Sequence, residues 1–276
     1  MRFWGNLRMI SRSFRLAAGR AVPAALCAVS LAVAGATAGA EPTGKRLQKD
    51  LSVAYHARET VNDRDNDILR LRYGIADPGI AGLSRLAVFG GFRDVGLDLF
   101  ADSESVSLEH PDIGVEALWM KDRPDGRHGL GARVNYAGDH ETSIEVAGVY
   151  ERFHRMFDLR LVGGVQGVTD NVAGREDFGA FGLGEVTWWY REDFLFRGGL
   201  QADPDGEIAS FGFEVAIGRR PLSFFLDWGH ALDDYRDISG YNDLSAGFRY
   251  DFGGDTLRDR VREGHSRSLF RAVEVQ

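Results

Sequence analysis

The chain has 276 residues, 44% of them apolar and 27% charged, a balance that suits a folded protein and excludes a disordered one. It carries 35 glycines, about 13% against a usual value of roughly 7%, and a single cysteine, which excludes a disulfide scaffold and a cysteine-based metal cluster. A formal charge of −8 argues against nucleic acid as a partner, because that ligand calls for a basic face.

The first forty residues stand apart. Arg2, Arg8, Arg12, Arg15 and Arg20 precede a small, apolar run from Ala21 to an Ala38-Gly39-Ala40 ending, with no acid among them. This is the layout of a secretory signal over 1–40, cleaved before Glu41. Pro23, Gly35, Gly39 and the many alanines make a poor spanning helix, which counts against an uncleaved anchor. Cys27 leaves with the signal, and Leu26 stands where a lipoprotein site wants a small residue. Without the five signal arginines, residues 41–276 have a formal charge of −13 and no cysteine.

From Glu41 to Asp65 the chain is polar, with a short helix expected over 47–60. Beyond it the dominant signal is period two. Leu130, Ala132, Val134 and Tyr136 alternate with Gly131, Arg133 and Asn135, and Leu244, Ala246, Phe248 and Tyr250 with Ser245, Gly247 and Arg249, as in strands with one apolar face. The same template predicts twelve strands at about 66–74, 83–91, 94–101, 113–121, 128–138, 142–152, 158–168, 179–190, 194–202, 207–218, 222–231 and 243–252. Most are close to the roughly 9–11 residues of a tilted membrane-spanning strand. No helical period interrupts them, so a βαβ fold is disfavoured.

Tight turns are expected at Phe92-Arg93, 191–193 and 219–221, and longer polar loops at 102–111, 169–177 and 232–242. The long loops share one edge if the strands run up and down, although 138–141 and 203–206 are short connections on that edge. A soluble barrel would turn its apolar residues inward. Here the opposite face is glycine, serine and charge, with nothing large to cover the aromatics, whereas bands of Phe, Tyr and Trp suit lipid and its interfaces. Trp188, Tyr190, Phe194 and Phe196 flank one tight turn, the place for an aromatic girdle.

The last strand carries Ser245-x-Gly247-x-x-Tyr250-x-Phe252. This resembles the assembly signal of Gram-negative outer-membrane β-barrels, the porin-like superfamily, in which the closing strand is read by the barrel assembly machinery. Such signals usually end the chain, and here Gly253 to Gln276 follow, with Arg258, Arg260, Arg262, Arg267 and Arg271 among acids. The resemblance spans about 66–252. It implies an all-β, antiparallel, up-and-down transmembrane barrel of about twelve strands in the outer membrane. Outer-membrane lipid and the assembly machinery are then the partners, and 41–65 and 253–276 are periplasmic. It specifies neither a function nor an oligomeric state.

With the glycine-rich face inward, the lumen receives Arg70, Arg72, Arg85, Arg133, Arg160, Arg197 and Arg249 together with Asp98, Glu116, Glu145, Glu185, Glu214, Asp227 and Asp251. Charges in a narrow barrel lose hydration and survive only when paired, so matched numbers predict an ion-pair network. Such a network can stiffen a closed barrel, or can line a constriction for small solutes. Three roles follow: a non-enzymatic structural or small-solute pore protein, a barrel component of an export or surface-polysaccharide assembly, or an outer-membrane lipid or peptide hydrolase.

For the hydrolase a His must stand beside Ser or acid. The candidates are His56, His110, His128, His140, His154, His230 and His265; His230 precedes Asp233 and Asp234, and His140 lies between Asp139 and Glu141. None shows metal-ligand spacing, and no catalytic residue, cofactor or metal is assigned. Asp203-Pro204-Asp205-Gly206 and Pro124-Asp125-Gly126 read as hairpin turns, not calcium loops. Gly182-Leu183-Gly184 lies within a strand, where a nucleotide-binding reading fails.

Overall fold

A computed structural model describes residues 49–59, 68–78, 82–93, 109–137, 141–170, 176–218, 221–232, 242–252 and 256–262. Twelve strands follow in chain order: β1 (Lys49–Glu59), β2 (Ile68–Ala76), β3 (Arg85–Arg93), β4 (Glu109–Arg123), β5 (Gly126–Ala137) and β6 (Glu141–Phe153), then β7 (Phe157–Asp170), β8 (Glu176–Arg191), β9 (Phe194–Asp203), β10 (Gly206–Ala216), β11 (Leu222–Ala231) and β12 (Asn242–Asp251). Each pairs antiparallel with its sequence neighbours, and β1 pairs with β12, so the sheet closes on itself. This is the expected up-and-down barrel.

The twelve strands are not the twelve expected. β1 occupies the stretch read as a periplasmic segment with a helix, so the barrel begins at Lys49 and not at 66. Leu51 and Tyr55 stand four apart among alanines, a spacing that fits one helix face equally well. Pairing on both edges decides the matter, with Val53 opposite Leu71 on β2 and Phe248 on β12. Phe92 and Arg93 lie in β3 and not in a turn. The expected strand 94–101, like the signal segment, falls outside the described residues.

Side-chain parity separates lumen from lipid. Leu130 is 61% exposed and Ile144 55%, with Leu71, Val88, Ile113, Val134 and Leu161 likewise on the outer face of β2 to β7. From β8 to β12 the outer face is aromatic. Trp188, Phe196 and Phe211 stack at 5.7 and 6.1 Å, while Phe194, Phe213, Phe224 and Phe248 form a second row at 5.5 to 6.2 Å. An exposed apolar surface of this extent belongs in lipid, with the rings near an interface.

The inner face is less uniformly small than expected. Phe89, Leu118, Phe181, Trp189, Leu195 and Phe225 point inward and are buried, and glycines fall on both faces. Two inward glycines make room for rings. A Cβ at Gly114 would overlap Phe89, and one at Gly247 would reach 2.7 Å from the Phe225 ring as well as striking the backbone of β1. The Gly247 of the expected assembly signal thus also lets β12 close against β1.

The start of β1, the end of β12 and the short turns 124–125 and 192–193 share one edge. In membrane barrels the short turns are periplasmic. At that edge the tail forms a helix, α1 (Leu257–Arg262), with the rest of the segment after it outside the described residues. Thr256 caps it: its hydroxyl accepts from Asp259 N at 3.1 Å and donates to the Asp259 carboxylate at 2.7 Å. On the other edge, 203–206 is the expected hairpin turn, with Asp205 N donating to Asp203 Oδ1 at 3.0 Å.

Candidate functional site

The lumen is the site, and alternation along the strands builds it. On β2, Arg70 and Arg72 point inward; on β4, two positions away around the wall, so do Asp112 and Glu116. Arg70 Nη2 donates to Asp112 Oδ2 at 2.5 Å, and Arg72 Nη2 to Glu116 Oε1 at 2.8 Å. Both arginines flank the ring of Phe89, each guanidinium carbon 5.9 Å from its centroid, and Arg133 from β5 lies over it at 4.7 Å. Arg133 is 1% exposed and stands in register between Glu116 and Glu145.

A second cluster occupies β9 to β12. Arg197 grips Asp227 with two hydrogen bonds, Nε to Oδ1 at 3.0 Å and Nη2 to Oδ2 at 3.3 Å, and gives Nη1 to Glu214 Oε2 at 3.1 Å. This use of the planar guanidinium is geometry a lysine cannot copy. Glu214, 0% exposed, also accepts from Arg249 and from the Ser223 hydroxyl at 2.6 Å. Elsewhere Arg160 pairs with Glu185 at 3.2 Å, Arg85 with Asp50 at 3.4 Å and Asp251 with Arg260 of α1 at 3.0 Å. The wall between the two clusters also carries an apolar patch: Leu118, Ala147, Val149, Val162, Phe181 and Leu183 pack together inside the barrel.

Of the fourteen expected lumen charges, Asp98 lies outside the described residues. The other thirteen are inward and buried. Local reading missed Asp50, Asp112, Glu151, Asp158 and Asp243, and the rings of Phe89 and Phe225. Parity carried a signal for some of them. Asp112 stands four residues before Glu116, so extending the expected strand 113–121 by one residue places it on the lumen face, and Asp243, two before Ser245, already opens the expected strand 243–252 on that face. The residues of the expected assembly signal lie on and just after β12: Ser245 and Gly247 face inward, Tyr250 outward, and Phe252 packs on Tyr250 at 4.9 Å.

The histidines scatter. His230 stands on the outer face, its Nδ1 2.8 Å from Asn242 Oδ1, stacked on Trp228 at 5.6 Å. Its register partners are Ala209 and Asn242, which places no hydroxyl directly opposite it. His154 stacks on Phe157, His128 lies 3.5 Å from Arg123, and His56 lies 3.8 Å from the buried Asp243. His140, His265, Asp233 and Asp234 fall outside the described residues, as does the side chain of His110. Among the described residues no group of three His, Cys, Asp or Glu is placed to hold a metal.

No family model matches the sequence, and no curated protein matches it. Solved structures do match the fold. The KdgM porin aligns with a TM-score of 0.53 at 10% identity, covering 73% of this chain and 99% of that one. An outer-membrane channel from Pseudomonas putida F1 aligns at 0.51 with 10% identity, covering 78% and 100%. The outer-membrane phospholipase A of Escherichia coli aligns at 0.50 with 9% identity, covering 76% and 94%. Likeness at such low identity concerns the fold, and the chain has the closed, antiparallel, porin-like β-barrel architecture of outer-membrane proteins.

Proposed function

We propose that the protein is a non-enzymatic barrel of the outer membrane that works as a narrow pore for small solutes. The observation that carries this reading is the lumen itself: rows of arginine and carboxylate, paired with partners one or two strands away, line the inner wall of a closed barrel with lipid-compatible outer walls. Such rows form a constriction that small hydrated solutes pass and bulky ones do not. Because the guanidinium of Arg133 is buried at the level of Phe89, the path there is far tighter than in a wide, water-filled porin.

The competing reading, a hydrolase with His230 as its base, is tested by incubating the purified protein with lipid and peptide substrates: turnover of either overturns the non-enzymatic reading. We further propose that the assembly machinery reads Ser245, Gly247, Tyr250 and Phe252 on the closing strand, and that outer-membrane lipid covers the aromatic rows.

In planar bilayers the purified protein is expected to show brief openings of small unitary conductance. Arg133→Ala removes the guanidinium nearest Phe89 and is expected to raise that conductance about twofold. Silence of both proteins, or a conductance that Arg133→Ala leaves unaltered, contradicts the pore.

A further inference from the structure

The helix α1 has six residues, too few to be stable alone in water, so its order comes from what it touches. Its anchors lie on the inner wall. Leu257 is buried against the inward Trp189 and Leu195. Arg260 Nε lies 3.0 Å from Asp251 Oδ2, and Arg262 donates to Asp158 at 2.6 and 3.1 Å. Asp158 also accepts from Trp189 Nε1 at 2.7 Å. Arg258 reaches the turn before β7, donating Nη2 to His154 O at 2.9 Å, and its backbone N donates to Glu192 O at 3.1 Å. These partners run from β7 to β12, half the circumference of the barrel.

Size makes such a chord obstructive. Twelve strands about 4.8 Å apart and tilted about 40° close a ring roughly 24 Å across, backbone to backbone, of which facing side chains take about half. A helix with its side chains is about 10–12 Å thick and fills what remains.

We propose that α1 is a plug for the periplasmic mouth, and that its departure opens a path preferring small cations. The proposal rests on the pore reading above. Asp50 and Glu151, at the same end, have barrel partners in Arg85 and Arg127. Asp158 and Asp251 form their ion pairs with Arg262 and Arg260 of the helix. When α1 leaves, it takes two positive charges from the mouth and exposes two carboxylates there, which concentrates cations and repels anions. Burial, and then the neighbouring Arg262, lower the Arg258 guanidinium below its ordinary range, a sign of how closely these arginines crowd the mouth.

The test is the double variant Arg260→Glu, Arg262→Glu, which sets like charges against Asp251 and Asp158, with Leu257→Asp as a second route to release. All of these changes lie on α1 and not within a barrel strand, and unboiled gel mobility checks that each variant folds. Trypsin cleavage after Arg258, followed by mass spectrometry on the folded protein in detergent, reads undocking. Openings in planar bilayers read the path. Both variants are expected to be cut about tenfold faster and to open about tenfold more often than wild type, with an unchanged unitary conductance that favours potassium over chloride. Faster cutting without more frequent openings overturns the plug and leaves the pore standing. Preference for chloride overturns the acidic mouth. A complete lack of openings in all three proteins, with the variants nonetheless cut faster, removes the pore reading itself.

Discussion

Glu214→Ala is expected to destabilise the folded barrel by about 3–5 kcal/mol, the usual cost of removing one partner from a buried ion pair. The carboxylate is fully buried and serves three donors at once: Arg197, Arg249 and the hydroxyl of Ser223. Removing it leaves two guanidiniums in a wall they cannot leave, with Asp227 still hydrogen-bonded to Arg197. Most of the cost is the desolvation of cations that have lost their counter-charge, not the bond energies themselves. Glu214→Gln keeps an acceptor for Ser223 but not the charge, so it is expected to fall between wild type and Glu214→Ala. The midpoint of urea unfolding in detergent micelles, read by loss of the fast-migrating unboiled form, measures both. A midpoint unmoved by Glu214→Ala would mean that water, and not protein, solvates this cluster.

The second large effect is at Phe89. Phe89→Ala is expected to cost about 3–5 kcal/mol, as other buried Phe→Ala changes do, because the hole falls where Gly114 offers no side chain to fill it. Three guanidiniums face that ring, at 4.7, 5.9 and 5.9 Å from its centroid. Phe89→Leu keeps most of the volume and loses the ring quadrupole. The gap between the leucine variant and wild type therefore isolates the cation–π share, expected at roughly 1–2 kcal/mol. Equal loss in the Ala and Leu variants would assign the whole effect to the aromatic face, and a negligible loss in both would mean that the arginines hold their places without it.

The barrel is legible in the sequence because period-two alternation survives without any partner being known. It fails where a strand is short and its residues also suit a helix. In β1 the inward Asp50, Ser52 and His56 are interrupted by Ala54, and Leu51 and Tyr55 share a helical spacing as well. Only the pairing with β2 and with β12, the latter far away in sequence, makes it a strand. The charged lumen is legible for the same reason as the barrel: Arg133, Arg197 and Glu214 stand on the small-residue face whatever they touch. Which charge meets which is not legible, since Arg70 finds Asp112 across an intervening strand and Arg249 finds Glu214 the same way. The inward rings escape notice because Phe89 and Trp189 reverse the composition of their faces, and each needs a distant neighbour to explain it: Gly114 for one, Leu257 for the other. The tail is the plainest case. Its arginines read as part of a periplasmic segment, and their partners Asp251 and Asp158 are reached by one side chain within ten residues and by another across more than a hundred.

Whether this chain is an outer-membrane barrel is tested by fractionating cells that express it. The protein is expected in the outer-membrane fraction, migrating faster on gels before boiling than after, as a closed barrel that resists detergent does. Recovery from the soluble periplasm with no difference in mobility on boiling would contradict it.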